Sequence, residues 1–179
     1  MGSVSYNVPD GTTTKQGIHD YLTNDCEAEV IDLGVKGSVG YFVARSRGAT
    51  FAGVALTYRS AGYHNFGIKL VDESMGPFEA DPPARVLATI EREVPEPPND
   101  YAAEWRRKCH ALAAKRAEAR KVKPGAVIRL TAPLSFSDGV ERDTFRFVKG
   151  SRFTSVTDGI PVSVTRWRDR DFEVVESAA

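Results

Sequence analysis

The sequence predicts an α+β protein of two unlike parts: an N-terminal antiparallel four-stranded meander flanked by helices, and a C-terminal SH3-like small β-barrel, joined by a connecting helix. Three observations lead there. Residues 31–70 hold four strand-length runs separated by turn residues, residues 101–120 switch to helical spacing, and the chain beyond Pro124 returns to short strands at even intervals. The expected divisions are 1–98, 99–123 and 124–179.

After a loop rich in Pro, Asp and Gly, Thr12, Thr13 and Thr14 offer hydroxyl caps to a first helix that buries Ile18, Tyr21 and Leu22 and ends by Asn24-Asp25. Four strands follow. Ile31, Leu33 and Val35 alternate with Asp32, Gly34 and Lys36; residues 39–45 and 51–58 are β-branched and aromatic; Phe66, Ile68 and Leu70 alternate again. The links Lys36-Gly37-Ser38, Ser46-Arg47-Gly48 and Ser60-Ala61-Gly62 are short, which implies antiparallel neighbours. Asp81-Pro82-Pro83 reads as the cap and opening of a second helix with Val86, Leu87 and Ile90 inward, stopped by Val94-Pro95-Glu96-Pro97-Pro98. The third helix, capped by Asn99 or Asp100, carries a stripe of Tyr101, Trp105, Cys109, Leu112 and Ala113 and stops at Lys123-Pro124-Gly125. At ~1.5 Å per residue it reaches about 30 Å, long enough to connect two lobes. Beyond it the runs 127–130, 134–137, 144–148, 153–156, 162–167 and 172–175 read as barrel strands, with Asp138-Gly139, Lys149-Gly150 and Asp158-Gly159 as tight turns.

Charge is spread unevenly although the net charge is zero. Residues 1–100 hold 8 Lys/Arg against 14 Asp/Glu, a balance of −6; residues 101–120 hold 6 against 2, or +4; the remainder holds 10 against 8, or +2. On the third helix, steps of four from Leu112 reach Arg116 and Arg120, so a face that begins as core ends as cation. Such a face needs an anionic counterpart, either the acidic N-terminal lobe or an external polyanion.

Several local patterns resemble an uncharacterised family of small proteins encoded by phages and mobile elements. They are Asn65-Phe66-Gly67, the block Asp72-Glu73-Ser74-Met75-Gly76-Pro77, the helix start Tyr101-Ala102-Ala103-Glu104-Trp105-Arg106, the stretch from Asp143 to Phe153, and Trp167-Arg168-Asp169-Arg170-Asp171-Phe172. Ser74 stands where Thr is expected in relatives. The resemblance implies a phage or mobile-element setting and transfers no catalytic residue, because the family has no assigned activity.

With 41% hydrophobic and 27% charged residues the composition is that of a folded, soluble chain. The longest apolar runs, 39–44 and 51–56, fall far short of the ~20 residues a membrane span requires, so no membrane partner is expected. Met1-Gly2 opens like a myristoylation signal, but Tyr6 occupies the position that needs Ser or Thr, and a cytoplasmic location is expected. Cys26 and Cys109 are expected to be free buried thiols.

No cofactor and no metal site are expected. His19, His64 and His110 sit on separate elements without metal-ligand spacing, and Gly34, Gly37 and Gly40 fall in a hairpin rather than a strand-to-helix phosphate loop. An enzyme reading sets His64 against Asp72 and Glu73 in metal-assisted hydrolysis. Eight residues of extended chain separate 64 from 72, about 26 Å at ~3.3 Å per residue. The structural reading has Asp72 capping the turn that Gly76-Pro77 completes, with Met75 and Phe78 plugging the sheet edge. No catalytic residue is assigned.

The leading expectation is therefore a non-enzymatic binding or adaptor protein. Nucleic acid is one partner class: Arg106, Arg107, Lys115, Arg116, Arg120, Lys121, Lys123 and, from the barrel, Arg168 would track phosphates, with Tyr41, Phe42, Tyr58 or Trp167 stacking on bases. A host or phage protein is the other, met through Tyr63, His64, Trp167 and Arg170, and a sequence pI near 6.8 suits it. In the run from Trp167 to Phe172 the alternating charges would lock a turn while the two aromatics close the barrel end.

Overall fold

Apolar residues on both sides of the same strands require cover on both sides, and the N-terminal sheet has it. The structure, a computed structural model, describes residues 2–6, 11–60, 63–77 and 79–177, with the backbone alone for 2–6, 58–60 and 63–66. The chain divides into two compact units, Met1–Cys109 and His110–Ala179. No helix among the described residues is long and apolar enough to cross a membrane.

The first unit contains β1 (Gly2–Tyr6), α1 (Thr14–Asp20), β2 (Glu29–Lys36), β3 (Val39–Ser46), β4 (Ala49–Ser60), β5 (Tyr63–Leu70), α2 (Ala84–Glu93) and the first half of α3 (Asp100–Lys121). β2 to β5 form the expected antiparallel meander. The segment expected as an N-terminal loop adds β1 to its edge, giving the order β1-β5-β4-β3-β2 and pairing Gly2 with Ile68 through Tyr6 with His64. An unpaired β5 would otherwise present a row of open backbone groups.

On one face Phe42, Ala44 and Ala55 pack with Leu33 against Ile18 and Leu22 of the α1 region. On the other, Tyr41, Val43, Ala52 and Val54 pack against Val86, Leu87 and Ile90 of α2 and Ala102, Trp105 and Cys109 of α3. Such two-sided burial makes residues 39–44 read as one apolar run instead of an alternation. It also corrects the placement of Asp32, which the alternation puts outward. Asp32 is buried beneath α2, paired with Arg85 and accepting the Thr89 hydroxyl at 2.9 Å. The sheet comes close to α1 at Gly40, where a Cβ would sit 2.3 Å from Ile18 Cδ1.

Local signals held in most places. Thr13 caps α1 by accepting the Gln16 amide at 3.2 Å, and the helix continues as a π-turn over Tyr21–Asp25. Asn99 caps α3, accepting the Ala102 amide at 3.0 Å while its own amide group donates to the Asp72 carbonyl at 2.6 Å. α2, in contrast, begins at Ala84 and not at Pro82. A proline disfavours helical geometry in the residue before it, so Pro82 stays outside the helix, and Asp81 pairs with Lys36 at 2.7 Å instead of capping. On α3 the stripe is Ala102, Trp105 and Cys109, while Tyr101 is exposed.

The second unit holds the other half of α3 and a five-stranded antiparallel sheet: β6 (Val127–Ser135), β7 (Glu141–Lys149), β8 (Arg152–Ser155), β9 (Pro161–Ser163) and β10 (Phe172–Glu176), in the order β10-β6-β7-β8-β9. The runs 127–130 and 134–137, expected as two strands, form one strand whose register slips between Arg129 and Leu134. Further slips interrupt β7–β8 and β10–β6. Each such irregularity bends and twists a strand, and the sheet packs against an aromatic core. Trp167, on a 3-10 turn over Trp167–Asp169, has ring centroids of Phe147, Phe153 and Phe172 at 5.1, 5.4 and 5.6 Å. Its indole donates to the Gly150 carbonyl at 2.8 Å, which satisfies the one polar atom of a buried ring. The Asp-Gly and Lys-Gly turns stand as expected, with Gly139, Gly150 and Gly159 at φ of 77°, 62° and 73°.

Candidate functional site

Most of the cations proposed to face a partner are engaged within their own unit. In the first unit Arg106 is buried and donates to the carbonyls of Pro95 at 3.1 Å and Val94 at 2.5 Å, tying the start of α3 to the proline-rich segment before it. Arg107 and Lys108 share Glu104 along the helix. In the second unit Lys115 pairs with Asp171 at 2.7 Å and Lys121 with Glu118 at 2.7 Å, both in the open.

Arg116 has a carboxylate of its own unit as a partner. It is half-buried and forms a bidentate pair with Asp169, Nε to Oδ1 at 2.5 Å and Nη2 to Oδ2 at 3.0 Å. Arg116, and after it Arg166, hold the Asp169 carboxyl below the usual carboxylate range against the desolvation that raises it. The core stripe of this half of the helix passes through Ala119 and Val122, which pack with Ile128, Phe145 and Trp167. Alanine at 119 is a weak hydrophobic signal, and counting from Leu112 in steps of four passes it by. Arg120 and Lys123 are exposed with no ion-pair partner among the described residues.

Three of the aromatic residues offered for stacking, Tyr41, Phe42 and Trp167, are core. Tyr41 and Phe42 are buried on opposite faces of the N-terminal sheet, and burial raises the Tyr41 hydroxyl pKa. Trp167 is 2% exposed, so it is neither a stacking platform nor part of an outer recognition surface. Tyr63 and His64 lie on β5, and their side chains, like those of Tyr58 and Phe78, are outside the described residues.

The turn after β5 assigns its carboxylates differently from expectation. Glu73, not Asp72, closes it: Glu73 Oε1 accepts the Leu70 amide at 2.9 Å, and the Glu73 carbonyl accepts the Gly76 amide at 2.7 Å. A glutamate reaches back over three residues where an aspartate one position earlier does not. Met75 is 72% exposed at φ 66° and does not plug the sheet edge. Among the described residues no three His, Cys, Asp or Glu side chains come together as a metal site. Cys26 and Cys109 are free; Cys26 is half-buried, and burial pushes the Cys109 thiol up to about 12.

What the second unit does offer is a cleft of about 810 Å3 between the outer face of α3 and β10. Its floor is apolar: Ala111, Ala114 and Val122 from the helix side, Ala126, and Phe172 and Val174 from the strand. Lys115, Lys121, Lys123 and Arg170 stand around it with Glu118 and Asp171. Lys123 and Arg170 have no ion-pair partner among the described residues, and Val174 is 48% exposed. The whole unit carries 13 Lys/Arg and 9 Asp/Glu, a net of +4, while residues 1–109 carry 11 and 15, a net of −4. A volume of this size lies within the ~300–1,000 Å3 of ligand-binding clefts. The exposed pairs at its rim are weak, about 0–1 kcal/mol each, so an incoming anion exchanges with Asp171 or Glu118 at little cost.

Residues 96–168 match a sequence family described as a domain of unknown function, DUF6927. The match takes in all of α3 and the strands β6 to β9. No curated protein and no solved structure matches the chain.

Proposed function

We propose that the protein is a non-enzymatic adaptor of phage or mobile-element type, acting in the cytoplasm, whose C-terminal unit receives an anionic and partly apolar segment of a protein partner. In this reading the second unit is an SH3-like small barrel and its cleft beside α3 is the docking site. The single observation that carries the proposal is the cleft's makeup, an apolar floor under a rim of Lys115, Lys121, Lys123 and Arg170. Apolar contact supplies affinity and the rim selects for negative charge. A polynucleotide backbone has no use for the floor, and Tyr41, Phe42 and Trp167, three of the rings that would stack on bases, are buried.

One observation favours nucleic acid as the second reading: Arg120, Lys123 and Arg170 are cations without ion-pair partners among the described residues. The two readings separate in one set of measurements on the full chain. Co-purification from the native host should yield a stoichiometric protein that is lost with Lys121→Glu plus Lys123→Glu while the far-UV spectrum stays unchanged. Labelled single- and double-stranded DNA and RNA should show no salt-dependent binding. Retention that falls steeply with salt and ignores the apolar floor variant Val174→Ser would transfer the function to nucleic acid.

A further inference from the structure

We propose that a second pocket of the C-terminal unit, sharing no residue with the cleft and independent of the partner-binding reading, binds a phosphomonoester dianion. The pocket has a volume of about 270 Å3 and is lined by Arg116, Arg166, Arg168 and Asp169, with Trp167 and the Gly150-Ser151 turn. Three guanidinium groups face one carboxylate, leaving a net of +2 that no other lining side chain offsets.

The carboxylate does not consume the three cations equally. Asp169 takes Nε and Nη2 of Arg116 and, through Oδ2, Nε of Arg166 at 3.1 Å. Arg166 thus keeps both terminal nitrogens without partners among the described residues, on a side chain that is 77% exposed. Arg168 has no acidic partner among the described residues. Its guanidinium carbon lies 4.9 Å from the Trp167 ring centre, and its Nε is buried with no hydrogen-bond partner. A buried donor left unmade costs free energy, and a stacked guanidinium is held in one plane with its donor edge preset. Asp169 fixes Arg116 and Arg166; Trp167 fixes Arg168.

The ligand class follows from charge, donor geometry and size. Fork-shaped guanidinium donors pair with planar or tetrahedral oxyanions. A carboxylate or a phosphodiester brings one negative charge and leaves half of the +2 unmet, whereas a phosphomonoester carries about −1.5 to −2 at pH 7 and three acceptor oxygens. The pocket lies just under the ~300 Å3 lower bound of small-molecule sites, so it takes the phosphoryl group and leaves the remainder of the ligand outside.

The experiment is NMR titration of the full chain with inorganic phosphate, a phosphoserine peptide, the same peptide unphosphorylated, and a dinucleotide phosphodiester. Inorganic phosphate should shift the Arg166 and Arg168 Nε–H and Trp167 indole signals, and its binding should strengthen as pH rises through ~6, where the second phosphate proton leaves. Tighter binding of the phosphopeptide than of free phosphate would place the group on a protein; equal binding would place it on a small molecule or the free ion. Arg168→Gln should weaken phosphate about tenfold or more. Arg166→Gly guards against misfolding, since it removes a guanidinium while relaxing a residue at φ 53°. Absence of shifts at millimolar phosphate, affinity unchanged in both variants, or a diester bound as tightly as a monoester would each overturn the assignment.

Discussion

The two units bury their cores in opposite ways. The first stacks helices on both faces of a more regular sheet, fills the layers mostly with aliphatic side chains around Tyr41, Phe42 and Trp105, and uses glycine where α1 comes closest. The second packs one irregular sheet against a cluster of six aromatic rings and locks its turns with charge. Arg142, only 3% exposed, donates to Asp138 at 3.1 and 2.7 Å and to Asp158 at 2.9 and 2.5 Å, while each aspartate also caps its own turn through the amide of Val140 or Ile160. A sheet covered on both sides is held by area. A small irregular sheet has less area to bury, and its edges depend more on specific directional contacts.

The sharpest way to separate the two is by their tryptophans, since the chain has two and each unit holds one. Trp167→Ala removes a ring that touches three others and frees the Gly150 carbonyl, at a cost of about 3–5 kcal/mol to the second unit. Urea unfolding followed by Trp105 fluorescence should keep its midpoint, while far-UV circular dichroism develops a separate earlier transition. One merged transition at lower urea for both signals would show that the cores unfold as a single cooperative unit and that the contrast is only one of composition.

Glycine gives the next test, because Gly40 of the first unit serves space and Gly139 of the second serves backbone angle. Gly40→Ala puts a methyl group 2.3 Å from Ile18 Cδ1, and Ile18 is 1% exposed with nowhere to move, so overpacking should cost about 1–3 kcal/mol. Adding Ile18→Val should recover part of the loss. Gly139→Ala meets nothing within 4 Å but must adopt φ 77°, which costs about 1–2 kcal/mol and has no rescuing partner. Equal rescue at both positions would remove the distinction.

What was legible in the sequence follows the same division. Contiguous signals were readable: the Thr13 and Asn99 caps, the strands of the meander and the Asp-Gly turns each depend on residues within three or four positions. Features set by distant packing were not. The alternation around Asp32 hides a buried carboxylate because its partners Arg85 and Thr89 lie more than fifty residues away. Arg116 finds Asp169 across a similar interval. Arg142 sits after a register slip that takes it out of phase with Phe145 and Phe147, so alternation alone does not mark it as buried. Its signal is two Asp-Gly turns flanking one arginine, and it becomes readable only when both turns are known to close on one sheet. The cleft likewise joins Val122 to Val174, residues that no local pattern relates.

The gentlest test uses acid. Arg142 holds the Asp158 carboxyl at about 2 and also lowers that of Asp138. Free aspartate titrates near ~3.9 in an unfolded chain, so on acidification the unfolded state takes up protons before the folded one does. A depressed carboxyl therefore contributes stability that is complete above ~4 to 5 and drains away as pH falls toward about 2. Asp169, lowered by Arg116, acts with the same sign. In a Trp105→Phe protein, where Trp167 reports the second unit, the urea midpoint should hold steady between pH 7 and 5 and decline from pH 4 to 2.5. Arg142→Met should lower the midpoint at pH 7 and flatten its decline, because both aspartates lose the partner that depresses them. A decline as steep in the variant as in the parent would mean that the directional contacts around Arg142 do not set the second unit's response to acid, and that its aromatic core alone holds the turns in place.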